Sequence, residues 1–522
     1  MFSNFLLIFT GKTFGSLYLI NKLLLLINYC IIVMTDFTST ISQRQSIKNK
    51  NKQLDKEMTK IAYAASFFLG MTMLSGYNSL VNSFYYWMWK FSGDSELYRR
   101  SRIVVNDSDL LWQENFYQTY WTSFFEVVQE VSIWILLFFY TLFWIKNDLV
   151  KQTFIYMFIA ATVQITQIIF TQINTDAWYS SFFFVALLLV AINESIVFGP
   201  FVSACFSLTG TLGYEFVNFF LAGGYFSGCF IAVASIIAGY LFEEDIIDVE
   251  GNEIKSVNQI YEGMLFFGLY LATIVITIVL FYFLVKQDYF RSKYQELIED
   301  DATENKTNLL ENVTFWQRCK IIWSENLKVL KICKITFLNI GILMASTYSV
   351  FPLVPQRVIS QCNDPAIFEK MTNQSSFTGW YCDVLGGDLY PLVFCFLLTN
   401  ICFWIGNSSA VKFKLFKVTQ EKQFLICTTI RLIFMVPYFF FRRENYNGVS
   451  FFAYDLTFII YTAFYNLSHG YFLALGLDHS MQLCKSPDEQ TTLSNLTSWM
   501  LTLSAFVGAV LTYPMAWIID HT

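Results

Sequence analysis

About eleven apolar stretches, each long enough to cross a bilayer, follow one another from Ile61 to Ile519. A hydrocarbon core needs ~20 consecutive apolar residues for a helical crossing. Inside that core every backbone N–H and C=O must find a partner within the protein, so only helices and closed barrels span it. Barrel strands are ~10-residue segments of alternating polarity, whereas these runs are longer and continuously apolar. The expected fold is therefore all-α, a polytopic transmembrane helical bundle. The share of charged residues, 14%, agrees with this, since soluble domains carry about 25%.

The expected spans are 61–87, 117–145, 152–172, 178–206, 210–241, 258–285, 334–356, 389–410, 424–441, 450–476 and 493–519. The longest polar interruption, 286–333, divides them into a first transmembrane half (61–285, six spans) and a second (334–522, five spans). It carries Glu296, Glu299, Asp300, Asp301 and Glu304, then a weakly amphipathic piece, Phe315–Leu330. It reads as a connector between bundle halves, with a regulatory or docking role as the alternative. Residues 1–60 form an N-terminal extension. Its apolar part, Phe5–Val33, is broken by Lys12 and Lys22. Three readings are open there: a further membrane segment, a targeting sequence, or a start at Met34, which is the one adopted.

Lys and Arg gather on the side that holds Lys48 to Lys60, Lys146, Lys151, the 286–334 cluster and Lys412 to Lys422. They outnumber those on the other side by about two to one, which favours a cytoplasmic N-terminus. Glycosylation sequons at Asn106 and Asn373 then face outward, as such sites require. So does the loop flanked by Cys362 and Cys382, where a disulfide becomes plausible. The plasma membrane is the expected location. The remaining cysteines are scattered in apolar runs as ordinary packing residues. No Cys/His pair has zinc spacing, and no phosphate loop or G-x-S-x-G elbow occurs. No metal, no cofactor and no catalytic residue is expected.

Polar groups within spans face the bundle interior or a wet cavity, and are functional candidates. They include Tyr77, Asn78 and Asn82; Glu126, Gln129 and Glu130; Asn193, Glu194 and Ser195; Glu215 and Asn218; Asn400 and Asn407; Arg431; and Asn466 and His469. The plainer reading is that they bond across helices, for ~0.6–2 kcal/mol each. Arg431 needs a carboxylate, helix-end carbonyls or a substrate, because an unpaired mid-span Arg costs at least ~2.5 kcal/mol. Glu126, Glu130 and Glu194 are candidates to pair with it or to carry protons. Gly223, Gly224 and Gly228, and Ser504 with Gly508, have the spacing of close helix contacts. Pro352 and Pro437 interrupt spans seven and nine.

Several of these residues fall into ordered motifs. Met73-Leu-Ser-Gly-Tyr-Asn-Ser-Leu-Val-Asn-Ser-Phe is similar to L-L-P-W-N-x-F, and Leu221-Ala-Gly-Gly-Tyr-Phe-Ser-Gly to M-x-G-Q-x-x-A-G. Ser349-Val-Phe-Pro ends in F-P. Asn400-Ile-Cys-Phe-Trp-Ile-Gly-Asn follows N-x-x-D-x-x-G-R, Arg431-Leu-Ile-Phe-Met-Val-Pro follows R-x-x-F-x-x-P, and Ser468-His-Gly-Tyr follows S-N-G-Y. In order and spacing the chain resembles the equilibrative nucleoside transporters from Ile61 to Ile519. The resemblance implies a major-facilitator-like bundle that moves nucleosides, in some members nucleobases, down a gradient. It implies a central cavity lined by Leu74, Tyr77, Asn78, Val81, Gln129, Asn193, Phe351 and Asn400. Phe403, Asn407 and Arg431 join them as candidate substrate contacts. Phe403 and Asn407 stand where the family has Asp and Arg, so recognition of ribose and base is expected to differ. The partners implied are a nucleoside or nucleobase and the lipid bilayer, with no nucleic acid and no obligate protein partner. The alternatives are a proton-coupled symporter and, from other classes, a non-transporting sensor or a polytopic membrane enzyme using His469.

Overall fold

The computed structural model describes residues 54–101, 115–143, 148–247, 253–299, 314–351, 358, 360, 390–441, 454–484 and 486–521. The first half holds α1 (Leu54–Asn82), α2 (Phe84–Lys90), α3 (Ser95–Ser101), α4 (Phe116–Phe143), α5 (Leu149–Thr171), α6 (Tyr179–Ile196), α7 (Val202–Leu212), α8 (Tyr214–Leu241) and α9 (Gln259–Val285). Helix α10 (Asp288–Glu299) lies in the connector. The second half holds α11 (Phe315–Tyr348), α12 (Leu398–Lys412), α13 (Glu421–Ile430), α14 (Asp455–Leu483) and α15 (Pro487–His521).

Among the described residues, nine helical stretches are long and apolar enough to cross a membrane. Each coincides with an expected span. The two expected spans outside that set are α1 and α14. Both are diluted by polar side chains turned inward: Ser66, Thr72, Ser75 and Ser79 of α1 are buried, as are Asn466, His469, Asp478 and His479 of α14. A helix surrounded by other helices need not be apolar all round, because lipid does not reach those faces.

The helix joints have identifiable causes. The fourth expected span runs to Leu212 rather than 206, and the corner falls at Gly213, with φ +132. That backbone conformation favours glycine. Pro200 sits inside a π-turn, Val197–Phe201, that joins α6 to α7. Proline lacks an N–H and crowds the preceding turn, and a locally widened turn absorbs both effects. The sequence reading did not anticipate this break. The break at Pro437 is present: α13 gives way to a 3-10 stretch, Arg431–Phe440, that contains it. Helix α11 begins at Phe315, nineteen residues before the expected start at 334, so the amphipathic piece of the connector is its opening turns. A capping box of Thr314 and Gln317 fixes that start.

One element departs from the all-helical expectation. β1 (Glu243–Ile247) and β2 (Glu253–Val257) form an antiparallel hairpin, with Glu243 opposite Val257 and Ile247 opposite Glu253. It is tied to the bundle by Arg99, whose Nη2 lies 2.6 Å from Glu244 Oε2.

Close contacts hold the helices together where residues are small. A Cβ at Gly70 would collide with the Phe220 carbonyl of α8, and one at Gly223 with the Phe67 carbonyl of α1. The same is true of Gly406 against Leu467 and Gly470 against Phe403, between α12 and α14. Gly508 of α15 packs on Tyr348 of α11. The small-residue spacings in α8 and α15 therefore have the packing meaning read from the sequence. The N-terminal segment with Met34, Pro352, the Cys362/Cys382 loop and the sequons at Asn106 and Asn373 lie outside the described residues.

Candidate functional site

Leu74, Tyr77, Asn78 and Val81 lie at i, i+3, i+4 and i+7 of α1, on one face of the helix. All four are half-buried, while the neighbouring Ser75, Gly76, Ser79 and Leu80 are buried. The stripe looks into the bundle, not out to lipid. Tyr77 stacks on Phe125 of α4, centroids 6.2 Å apart. Asn78 Nδ2 donates to Ser227 Oγ of α8 at 3.1 Å. Val81 packs with Phe351 on a cluster of Ala232, Cys395 and Phe396.

Asn193 is fully buried beside this stripe. Its Nδ2 donates to Glu194 Oε1 at 2.7 Å, and Gln164 Nε2 donates to its Oδ1 at 3.3 Å. A Cβ at Gly76 would lie 2.9 Å from Asn193 Nδ2. Gly76, in place of the motif's proline, therefore leaves room for the amide. Three carboxyl groups lie on the helices around Tyr77: Glu126 and Glu130 on α4, which also carries Phe125, and Glu194 on α6, bonded to Asn193.

The second half lies across α8 from this stripe. Asn400 fills the space left by Gly228, where a Cβ would collide with its amide. Its Nδ2 donates to the Phe396 carbonyl at 2.9 Å. The Phe351 ring meets Phe396 at 5.8 Å and Phe403 at 6.4 Å. Phe403 in turn meets Tyr225 of α8 at 5.2 Å and the His469 ring at 4.5 Å. The structure thus brings the α1 stripe, Asn193, Phe351, Asn400 and Phe403 to the seam between the halves, around α8.

Gln129 belongs to the buried stripe Phe125, Gln129, Ile133 and Leu137 of α4, one turn from the Phe125 ring that meets Tyr77. Two candidates sit elsewhere. Asn407 Nδ2 donates to the Asn218 carbonyl at 3.1 Å, in a helix contact between α12 and α8. Arg431 is buried within the second half. Its guanidinium donates to Ser468 Oγ at 3.0 Å, Ser346 Oγ at 2.9 Å and the Tyr465 carbonyl at 3.2 Å. It also lies 3.8 Å over the Tyr465 ring. Neutral oxygens and an aromatic face satisfy the cation, so the sequence's option of pairing it with Glu126, Glu130 or Glu194 is not taken up.

Sequence reading missed Tyr225, Ser227, Phe396 and Gln164. Tyr225 and Ser227 lie inside the Leu221–Gly228 motif, and Gln164 is a polar residue inside an expected span, so the same rule would have found them. Among the described residues, no group of three or more His, Cys, Asp or Glu side chains is placed to hold a metal.

The sequence profile of the nucleoside transporter family matches residues 190–517. No curated protein sequence matches the chain. Among solved structures, the chain is similar to a variant of the E. coli fucose:proton symporter, at 12% identity over 89% of this chain and 92% of that one, TM-score 0.45. A major facilitator superfamily transporter in an outward conformation matches at 10% identity over 88% and 98%, TM-score 0.44. A bacterial homologue of the human drug peptide transporters matches at 12% identity over 88% and 99%, TM-score 0.27.

Proposed function

The chain belongs to the equilibrative nucleoside transporter family, and from that membership we propose that it carries nucleosides, and in part nucleobases, down their gradient by alternating access. It is an integral, multi-pass membrane transporter. The family points away from an enzyme. The observation that carries the reading is that Val81 of the half-buried α1 stripe and Phe351 pack on one cluster, while Asn78 bonds to Ser227, next to the Gly228 whose space Asn400 fills. Tyr77 and Phe351 offer rings on which a base packs. The amides of Asn78 and Asn400 supply donors and acceptors suited to base edges and hydroxyls. Leu74 and Val81 close the apolar part of the wall. Asn193 packs against Gly76, next to Tyr77, and Gln129 lies one turn from Phe125 on α4. Phe403 in the family's Asp position, and Asn407 in its Arg position, remove both charges together, which avoids leaving one unpaired. Recognition then leans on stacking more than on ions. No covalent step is needed: a solute that touches both halves favours whichever arrangement it binds best. The charge distribution of the sequence supports a cytoplasmic N-terminus, with the plasma membrane as the site of action.

Uptake of radiolabelled adenosine and uridine, in cells without carriers of their own, tests this. Saturable flux that Tyr77→Ala weakens is the expected result. Tight binding without flux would overturn it in favour of a sensor. Competition by purines and pyrimidines, with and without ribose, ranks the substrates.

A second reading, proton-coupled uptake, is favoured by the place of Glu126 and Glu130 on α4, whose Phe125 ring meets Tyr77, and of Glu194 hydrogen-bonded to Asn193. Carboxyls within spans are the usual parts of proton relays. Uptake driven by an imposed pH gradient, and lost in Glu126→Gln, supports it. Uptake indifferent to both rules it out.

A further inference from the structure

Gly213 marks one face of the bundle, at the corner between α7 and α8. The ends of α12 and α14 lie on the same face, because Lys414, just past α12, and Ala474 of α14 both contact Tyr214, and Lys414 also reaches Asp478. The polar links between the halves gather toward it. Tyr214 Oη, of the first half, donates to the Ala474 carbonyl of the second at 3.1 Å. Lys414 Nζ lies 5.1 Å over the Tyr214 ring and 2.5 Å from Asp478 Oδ2. Gln482 Nε2 donates to the other oxygen of Asp478 at 2.8 Å. Asn407 bonds to the Asn218 carbonyl, Ser203 to Asn495, and Trp499 Nε1 to Thr141 Oγ1 at 3.2 Å. Nearer the opposite face, described contacts across the seam include apolar and aromatic ones, Ala232 with Phe396 and Phe226 with Trp404.

We propose that Tyr214, Lys414 and Asp478 form a latch that holds the Gly213 face of the transporter closed, and that transport requires its release. The physical argument runs through Lys414. Asp478 is almost wholly buried, its side chain 2% exposed, while that of Lys414 is 43% exposed. A buried carboxylate is costly without its cation, so Lys414 is held at Asp478. Held there, the ammonium sits over the Tyr214 ring, where a desolvated cation gains from the face of the aromatic. The ring belongs to the other half of the molecule. The first half is therefore bound to a charge pair that is internal to the second. When the halves part on this face, the pair stays intact inside the second half, and the Tyr214 ring and hydroxyl are released together. Such a contact is strong enough to bias two states and weak enough to break in each cycle. A small pocket of about 30 Å³, room for a water molecule or so, lies beside it on the same seam, lined by Ser207, Thr211, Ser480, Gln490, Ser494 and apolar neighbours. Both halves contribute to its walls, so parting them at the latch widens it first.

The proposal rests on the transporter reading, and its test does not use substrate. Hydrogen exchange with mass spectrometry, on the full chain in nanodiscs, would follow 205–216 and 472–484. Lys414→Gln, Tyr214→Phe and Lys414→Arg are compared with the parent. Loss of a charged contact in a buried setting changes an opening equilibrium by about tenfold, so Lys414→Gln is expected to speed exchange in both segments about that much. Tyr214→Phe, which keeps the ring and loses the hydroxyl bond, is expected to give a smaller rise. Lys414→Arg, which keeps the cation, is expected to stay near the parent. The hairpin 243–257 on the opposite face serves as the folding control and is expected not to change. Equal exchange at the Gly213 face in all four proteins would overturn the latch, even if every one of them transports nucleosides. Faster exchange in Lys414→Gln without any nucleoside flux would leave the latch standing and remove the substrate assignment.

Discussion

Arg431 shows how a single residue is decided. A mid-span guanidinium invites a substrate role, yet its donors reach Ser468, Ser346 and Tyr465. Arg431→Lys keeps the charge but loses the planar fork and the fit to the Tyr465 ring. We expect a loss of about 2–3 kcal/mol in folding stability, from hydrogen bonds to a charged group, read as a lower thermal midpoint in detergent. Substrate KM in the protein that remains folded is expected to stay near the parent value. A KM rise without a stability loss would return Arg431 to the substrate site. Tyr77 is expected to behave in the opposite way. Tyr77→Ala removes one face of a stacking site worth about 1–3 kcal/mol per base, so KM rises roughly tenfold or more with little change in midpoint. Sequence alone placed both residues inside spans. It could not separate them, because the distinction lies in Ser346 and Ser468, which are distant in sequence and adjacent in space.

At the scale of elements, helix identity was legible and helix contact was partly so. Continuously apolar runs of this length cross lipid as helices, and among the described residues nine of the expected spans coincide with helices long and apolar enough to do so. Boundaries moved where local chemistry overrode hydropathy: at Gly213, where a glycine turns the chain, and at Phe315, where a capping box starts α11 well before the apolar run. The hairpin at Glu243–Val257 escaped notice because its strands are short and mostly polar. Glycines spaced in α8 signalled close packing, but their partners did not follow from spacing. Gly70 and Gly223 pack α1 on α8 backbone to backbone. Gly223→Leu is expected to force the pair apart and abolish surface expression, while Gly268→Ala, with open space around its Cβ, is expected to be neutral. Expression and thermal stability of the two variants check this.

Among the described residues, helices from before and after the 286–333 connector meet along α8, with aromatic and amide groups near the middle of that contact and polar links toward the Gly213 face. A solute that contacts both halves stabilises the folded protein by linkage, about 2.7 kcal/mol at a hundredfold excess over Kd. A nucleoside that is carried is therefore expected to raise the thermal midpoint of the purified protein, and Asn400→Ala to blunt the rise. The sequence by itself determined the solvent of this protein, the place of its long helices, its family and the α1 face with Leu74, Tyr77, Asn78 and Val81. Those properties follow from the cost of unpaired backbone in hydrocarbon and from helical periodicity, which are local. Only the tertiary structure decided that Asn400 meets Gly228, that Arg431 is spent on hydroxyls and a ring, and that Lys414 joins Asp478 to Tyr214. Each of those depends on which helices become neighbours, and a pattern that repeats along one helix carries no record of what lies across from it.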